Sequence, residues 1–224
     1  MHVCKLDHLV IGAADLDTGR EYLEDLLGVK TEAGGRHDTI GTHNRLLRLG
    51  DDQYLELIAI DPDAPPPDRP RFFALDDPAM RSAIQACPKL IAWVARASDI
   101  DAAAARPPYE DMEIRDMARG DLRWRMTFTP DGALPLEGAL PLLIEWQTEP
   151  MPPQRLPDSG CALTRFVVQS PAEQRAERAL QGLNLEGVRV EHAAQTGLAA
   201  ILSTPGRGEV VLSSVAPSSP DPDA

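Results

Sequence analysis

Cysteine is scarce in this chain: Cys4, Cys87 and Cys161 are the only three in 224 residues, and no two of them form a CxxC pair. Neither a disulfide framework nor a thiolate zinc site is indicated, and a reducing, cytoplasmic compartment fits best. Long apolar runs are missing as well. No stretch approaches the roughly 20 residues needed to cross a bilayer. The opening MHVCKLDHLVIGAADLD is interrupted by Asp7 and His8 and has no small-residue cleavage site after it, so it does not read as a signal peptide. Positive charge is the third scarcity, with 22 Lys and Arg against 35 Asp and Glu and a formal net charge of −13. Such a balance repels nucleic acid and anionic membrane surfaces alike. The expected partner is a small molecule, with a homodimer left open. An anionic ligand is not excluded, because a local group of arginines reverses the field inside a cleft.

What the chain does contain is a 43% apolar fraction, enough for a buried core, arranged in a repeated order of elements. Lys5 to Ile11 alternates as a strand does, and Thr18 to Leu27 carries Tyr22, Leu23, Leu26 and Leu27 at helical spacing until Gly28 stops it. A weaker strand is placed near Val29 to Ala33, followed by a Gly34-Gly35 turn. Thr42 to Leu49 and Gln53 to Ile60 then read as two strands joined at Gly50 to Asp52. The same order returns at Leu90 to Ala95, where Ser98-Asp99-Ile100-Asp101 repeats the helix start Ala14-Asp15-Leu16-Asp17, and continues through strands at 113–117, 122–128 and 140–147. A shorter third copy runs from Leu163 to Ser213. The predicted organisation is an α+β fold of βαβββ modules at 1–62 and 88–150, a related third module at 161–215, connectors at 62–70 and 148–157, and a disordered tail at 216–224.

Three segments, LDHLVIGAADLD at 6–17, GTHNRLLRLGDDQYLELIAID at 41–61 and LPLLIEW at 140–146, make the chain resemble the glyoxalase-like proteins of the vicinal oxygen chelate superfamily. The resemblance implies that modules one and two pair into a half-open barrel with a small-molecule site in its cup. It also implies a divalent metal (Zn, Ni, Mn or Fe) at positions corresponding to His8, Glu56 and Glu145, with Ala92 at a fourth position that cannot coordinate. On this reading Glu56 and Glu145 are the catalytic carboxylates of a metal-assisted isomerase, epimerase, lyase or dioxygenase. The alternative, favoured by Ala92, is a metal-free protein that binds or sequesters a small ligand in the same cup.

The residues taken singly keep several readings open. Alternation places His8 on the face of Leu6 and Val10, where a hydrogen-bonded core histidine is the simpler interpretation. Glu56 and Glu145 sit in apolar strands and need partners, either a metal or the arginines Arg48 and Arg125. A two-residue turn at 50–52 puts His43 on the face of Glu56, whereas a three-residue turn puts Asn44 there, so both stand as substrate-binding candidates. His37 and His43 are alternatively solvated rim residues. Arg125 is the third substrate-binding candidate, because Arg123 and Arg125 make one face of their strand basic. Trp93 and Trp146 are read as core.

Overall fold

The computed structural model describes residues 3–215; the tail assigned to 216–224 lies outside the described residues. Strand β1 (Cys4–Gly12) leads into helix α1 (Leu16–Leu27), whose N-cap Asp15 accepts a hydrogen bond from the Thr18 backbone N–H, and Gly28 closes the helix with a left-handed φ of 70°. Strands β2 (Glu32–His37), β3 (Thr42–Leu49) and β4 (Gln53–Ile60) complete the first module. The second repeats the order with β5 (Lys89–Ala97), α3 (Ile100–Ala104), β6 (Glu113–Arg119), β7 (Leu122–Phe128) and β8 (Leu142–Trp146). Asp99 caps α3 as Asp15 caps α1, through the Ala102 backbone N–H.

These strands form one curled eight-stranded sheet in the order β2-β3-β4-β1-β5-β8-β7-β6. The order is symmetric about the β1–β5 junction: β1 runs parallel to β4 and β5 parallel to β8, while β1 and β5 are antiparallel. Two half-barrels are thereby joined at their first strands. The link between them is more than a connector, because helix α2 (Pro78–Ala86) and the residues before it lay Phe72, Phe73, Leu75 and Ile84 into the concave face, against Val10, Ile58 and Val94. Neither this helix nor its packing was legible in the proline-rich stretch that precedes it.

After the short helix α4 (Pro152–Arg155), strand β9 (Ala162–Ser170), helix α5 (Glu173–Gly182) and strands β10 (Arg189–His192), β11 (Gly197–Thr204) and β12 (Gly208–Ser213) form a second sheet ordered β10-β9-β11-β12. Its element order is that of the other modules, but its pairing differs. Strand β9 lies between β10 and β11, whereas β1 and β5 each pair with the last strand of their own module. The second sheet covers the convex side of the first, where Phe166 meets Trp93 at 5.2 Å between ring centroids, in a core shared with Leu23 and Leu27 of α1. Among the described residues no helix is long and apolar enough to cross a membrane.

Candidate functional site

Two departures from simple alternation build the site. Along β1, Leu6 pairs with Ala95 and His8 with Val94, so Asp7 is one extra residue on this strand, a β-bulge. The bulge separates the faces of Leu6 and His8. Leu6 packs into the convex core, while His8 lines the concave pocket with Glu56. Asp7 itself is fully buried. Its carboxylate accepts from His8 Nδ1 at 2.7 Å and from Trp146 Nε1 at 3.1 Å, and Arg96 stands 3.5 Å away. A buried carboxylate without such partners would be strongly destabilising.

The second departure is in β2. Gly34 and Gly35 lie within the strand instead of forming a turn, at a register irregularity between Ala33 and Arg36. A Cβ on Gly34 would stand 2.6 Å from the Asn44 carbonyl oxygen, and one on Gly35 would stand 2.6 Å from Cδ of Arg119. The absence of side chains here admits two residues from facing elements into the cup.

Leu49 pairs with Gln53, so the β3–β4 turn has three residues, and Asn44 and Leu46 share the face of Glu56. His43 falls on the opposite face, where its Nε2 is buried without a hydrogen-bond partner. Glu56 is buried, with its Oε2 3.5 Å from His8 Nε2, and its Oε1 accepts a short hydrogen bond from the Asn44 side-chain amide. These contacts replace the arginine partners expected for Glu56. Burial alone would lower the pKa of His8, but the Asp7 and Glu56 carboxylates outweigh it and raise it to about 9. Burial raises that of Glu56, yet the protonated His8, with help from Asn44, holds it down to about 2. The His8 ring also stacks on Tyr54, with centroids 4.4 Å apart.

The rest of the pocket comes from module two. Arg119, at the end of edge strand β6, reaches across the mouth of the half-barrel and donates from Nη1 to Asn44 Oδ1 at 2.8 Å, with His37 Nε2 at 3.5 Å. His37 is buried and lines the pocket instead of standing at a solvated rim; its Nδ1 is 3.0 Å from Thr42 Oγ1. Burial, reinforced by Arg119 against the opposing pull of Glu56, lowers its pKa to about 4, so it is a neutral imidazole near pH 7. Trp124 and Trp146 form an aromatic wall with centroids 5.4 Å apart, so Trp146 is pocket lining and a hydrogen-bond donor as well as packing. The cavity they enclose is small, about 30 Å³, which is room for one or two waters.

Glu145 and Arg125 are not part of this pocket. Superposing the two helix starts makes Val94 the counterpart of Val10; Val10 pairs with Glu56 and Val94 with Leu142, so Leu142 occupies the place corresponding to Glu56. Leu142 and Ile144 face the concave core, and Glu145 points the other way. There its Oε1 accepts from the Ile100 backbone N–H at 3.1 Å, and its Oε2 lies 3.5 Å from Arg125, which is held mainly by Asp101 at 2.6 Å. Ala92 is buried in the concave core. The second module therefore offers no donor opposite His8 and Glu56. Among the described residues no group of three or more His, Cys, Asp or Glu side chains is placed to hold a metal ion. A transition metal held by protein ligands commonly has three or four of them, so the residues present do not fit the metal centre that the resemblance implies.

Comparison with known proteins places this geometry in a family. The sequence model of a glyoxalase-like domain matches residues 6–184. No curated protein matches in sequence. Among solved structures, a hypothetical protein from Staphylococcus aureus superposes with a TM-score of 0.61 over 87% of this chain and 88% of its own, at 15% identity. Methylmalonyl-CoA epimerase from Mycobacterium tuberculosis superposes less closely, with a TM-score of 0.41, 23% identity and coverage of 65% and 88%. A Streptomyces coelicolor methylmalonyl-CoA epimerase variant in complex with 2-nitronate-propionyl-CoA gives 0.42, 18% identity and coverage of 65% and 94%. The Staphylococcus likeness supports the fold alone.

Proposed function

Because the chain belongs to the glyoxalase-like domain family of the vicinal oxygen chelate superfamily, we propose that it binds a small molecule in the concave pocket at His8, Glu56 and Arg119, and does so without a metal held by protein donors. The observation that carries this reading is the state of the donors. His8 and Glu56 already neutralise one another, and the matching places in module two hold Ala92 and Leu142. A divalent ion would have to displace the proton of an imidazole whose pKa is raised to about 9, and would then find only two protein ligands.

Elemental analysis of protein purified without added metal, together with thermal unfolding in Zn, Ni, Mn or Fe(II), tests the proposal. Metal content should be well below one ion per chain, and the ions should leave Tm unchanged. Saturating a specific site at 100 times its Kd adds about 2.7 kcal/mol, or roughly 5 to 10 °C for a chain of this size. A stoichiometric ion that disappears in His8→Ala, or a rise of that order, would overturn the reading.

The buried chain Asp7–His8–Glu56 favours a second reading, in which the same pocket moves a proton on a bound carbonyl compound, as an isomerase or epimerase does. Under it, Glu56→Gln abolishes turnover while leaving ligand affinity within a few-fold. Parallel loss of both would leave only the binding role.

A further inference from the structure

We propose that the ligand of this pocket is a small organic monocarboxylate, whose carboxylate pairs with Arg119 while its apolar part lies against the tryptophan wall. The proposal rests on the reading of the pocket as a ligand site and names the chemical class of its occupant. Its first support is the balance of charge. Glu56 is answered by His8, and Asp7 by His8 and Arg96. His37 is neutral near pH 7. Among these groups the cation without a carboxylate partner is Arg119. Among the described residues no Asp or Glu is paired with it, and its acceptors are the neutral Asn44 Oδ1 and His37 Nε2.

The second support is that this unpaired guanidinium is deliberately admitted. The stem of Arg119 lies against Gly35, where any side chain would collide with it, and its acceptor Asn44 lies against Gly34. Asn44 is itself fixed, receiving the Gly35 backbone N–H on Oδ1 at 2.9 Å and donating to Glu56. Asn44 must be an amide to donate to Glu56, so the acceptor it offers Arg119 is neutral. A neutral acceptor leaves the guanidinium able to exchange partners. An incoming carboxylate takes two parallel N–H donors from Arg119, and Asn44 Oδ1 keeps its bond from Gly35.

The third support is the lining. Apart from the polar group at one end, the walls are Trp124, Trp146, Met117, Met126, Phe72 and Phe73. Such walls gain from burying hydrocarbon and give nothing to a second charge. With about 30 Å³ of free space, the carboxylate enters by swinging Arg119 off Asn44, which opens the mouth of the half-barrel. The pocket therefore selects a compact acid over a large or multiply charged one.

The test uses the intrinsic fluorescence of Trp124 and Trp146, with calorimetry as a second readout, in a buffer free of carboxylates. The probes are propionate and benzoate, each compared with its neutral isostere, propionamide and benzamide. Wild type should bind at least one acid ~10-fold or more tightly than its amide, as expected for a charge-assisted bidentate contact. Arg119→Gln should reduce that acid to the affinity of the amide, and Arg165→Gln, an exposed arginine of the second sheet, should leave the preference intact. Equal binding of acid and amide by wild type, or an undiminished preference in Arg119→Gln, overturns the inference while the pocket reading stands. Should Arg119→Gln lose both probes through loosening of the barrel mouth, the wild-type ratio decides alone. If no probe perturbs the fluorescence or the heat, the pocket reading falls and this inference falls with it.

Discussion

Replacing His8 by Gln removes the cation from between two buried carboxylates, and the size and pH dependence of the loss follow from the geometry. In the unfolded chain His8 titrates near 6.5, and in the folded protein near 9. At ~1.4 kcal/mol for each tenfold change in proton affinity, the difference corresponds to about 3 kcal/mol. Because the folded value is the higher one, this stabilisation is fully present below pH 6.5 and is lost as pH rises through 9. Glu56 contributes in the opposite sense: its folded value of about 2 lies below the usual 4.5, so its share is present above 4.5 and lost as pH falls toward 2. Both contributions are therefore intact near pH 6. The stacking of His8 on Tyr54 adds ~1 kcal/mol that does not depend on pH. Urea unfolding at pH 6 should show His8→Gln less stable than wild type by about 4 kcal/mol, in line with the 3–5 kcal/mol typical of breaking a buried pair. At pH 10 the difference should shrink to ~1 kcal/mol. A difference that is the same at both pH values would show that His8 does not carry the charge in the folded protein, and the electrostatic account of the site would fail.

Two further substitutions probe the placement of the strands. Glu145→Gln should cost no more than ~1 kcal/mol in urea unfolding, because it weakens a half-buried contact with Arg125 and the cap on the Ile100 backbone N–H; a loss of 3 kcal/mol or more would place the side chain among buried charges instead. Gly34→Ala should destabilise by ~1–3 kcal/mol, since its Cβ meets the Asn44 backbone within 2.6 Å, and a neutral result would mean that β2 has room to move away from Asn44.

The fold was readable because its signals are local and repeated. The two helix starts, Asp15 and Asp99, cap their helices in the same way, and each follows a strand that becomes a neighbour at the junction of the sheet. The third copy shows how far such reasoning reaches. Its order of strand, helix and three strands was legible, but pairing is decided by which edges find one another in space. Strand β9 pairs with β10 and β11, an outcome on which the order of elements is silent. Beyond the connector at 62–70 the sequence gives no sign of helix α2 for a related reason: prolines at 65–67 mark a break in regular structure, and nothing in composition says that Phe72 and Phe73, a few residues later, will plug a concave sheet.

The pocket was legible in part, and each gap has its own physical reason. His8 and Glu56 could be named because a histidine and a carboxylate within apolar strands require an explanation. Asp7 raises the same question in the same strand, and it escaped because strict alternation sends it to the face opposite His8; only the bulge turns both inward. Glu145 failed in the reverse direction. LLIEW and YLELI look alike as strings, yet aligning their glutamates shifts one strand by three residues against the pairing that the sheet adopts, and an odd shift exchanges the two faces. Arg119 had no local signal at all, being one arginine on a half-exposed edge strand. What could have marked it is the pair Gly34-Gly35, since two glycines inside a strand ask what approaches them so closely. The answer, Asn44 from the neighbouring strand and Arg119 from the other module, exists only once the sheet has curled far enough to bring its edges together.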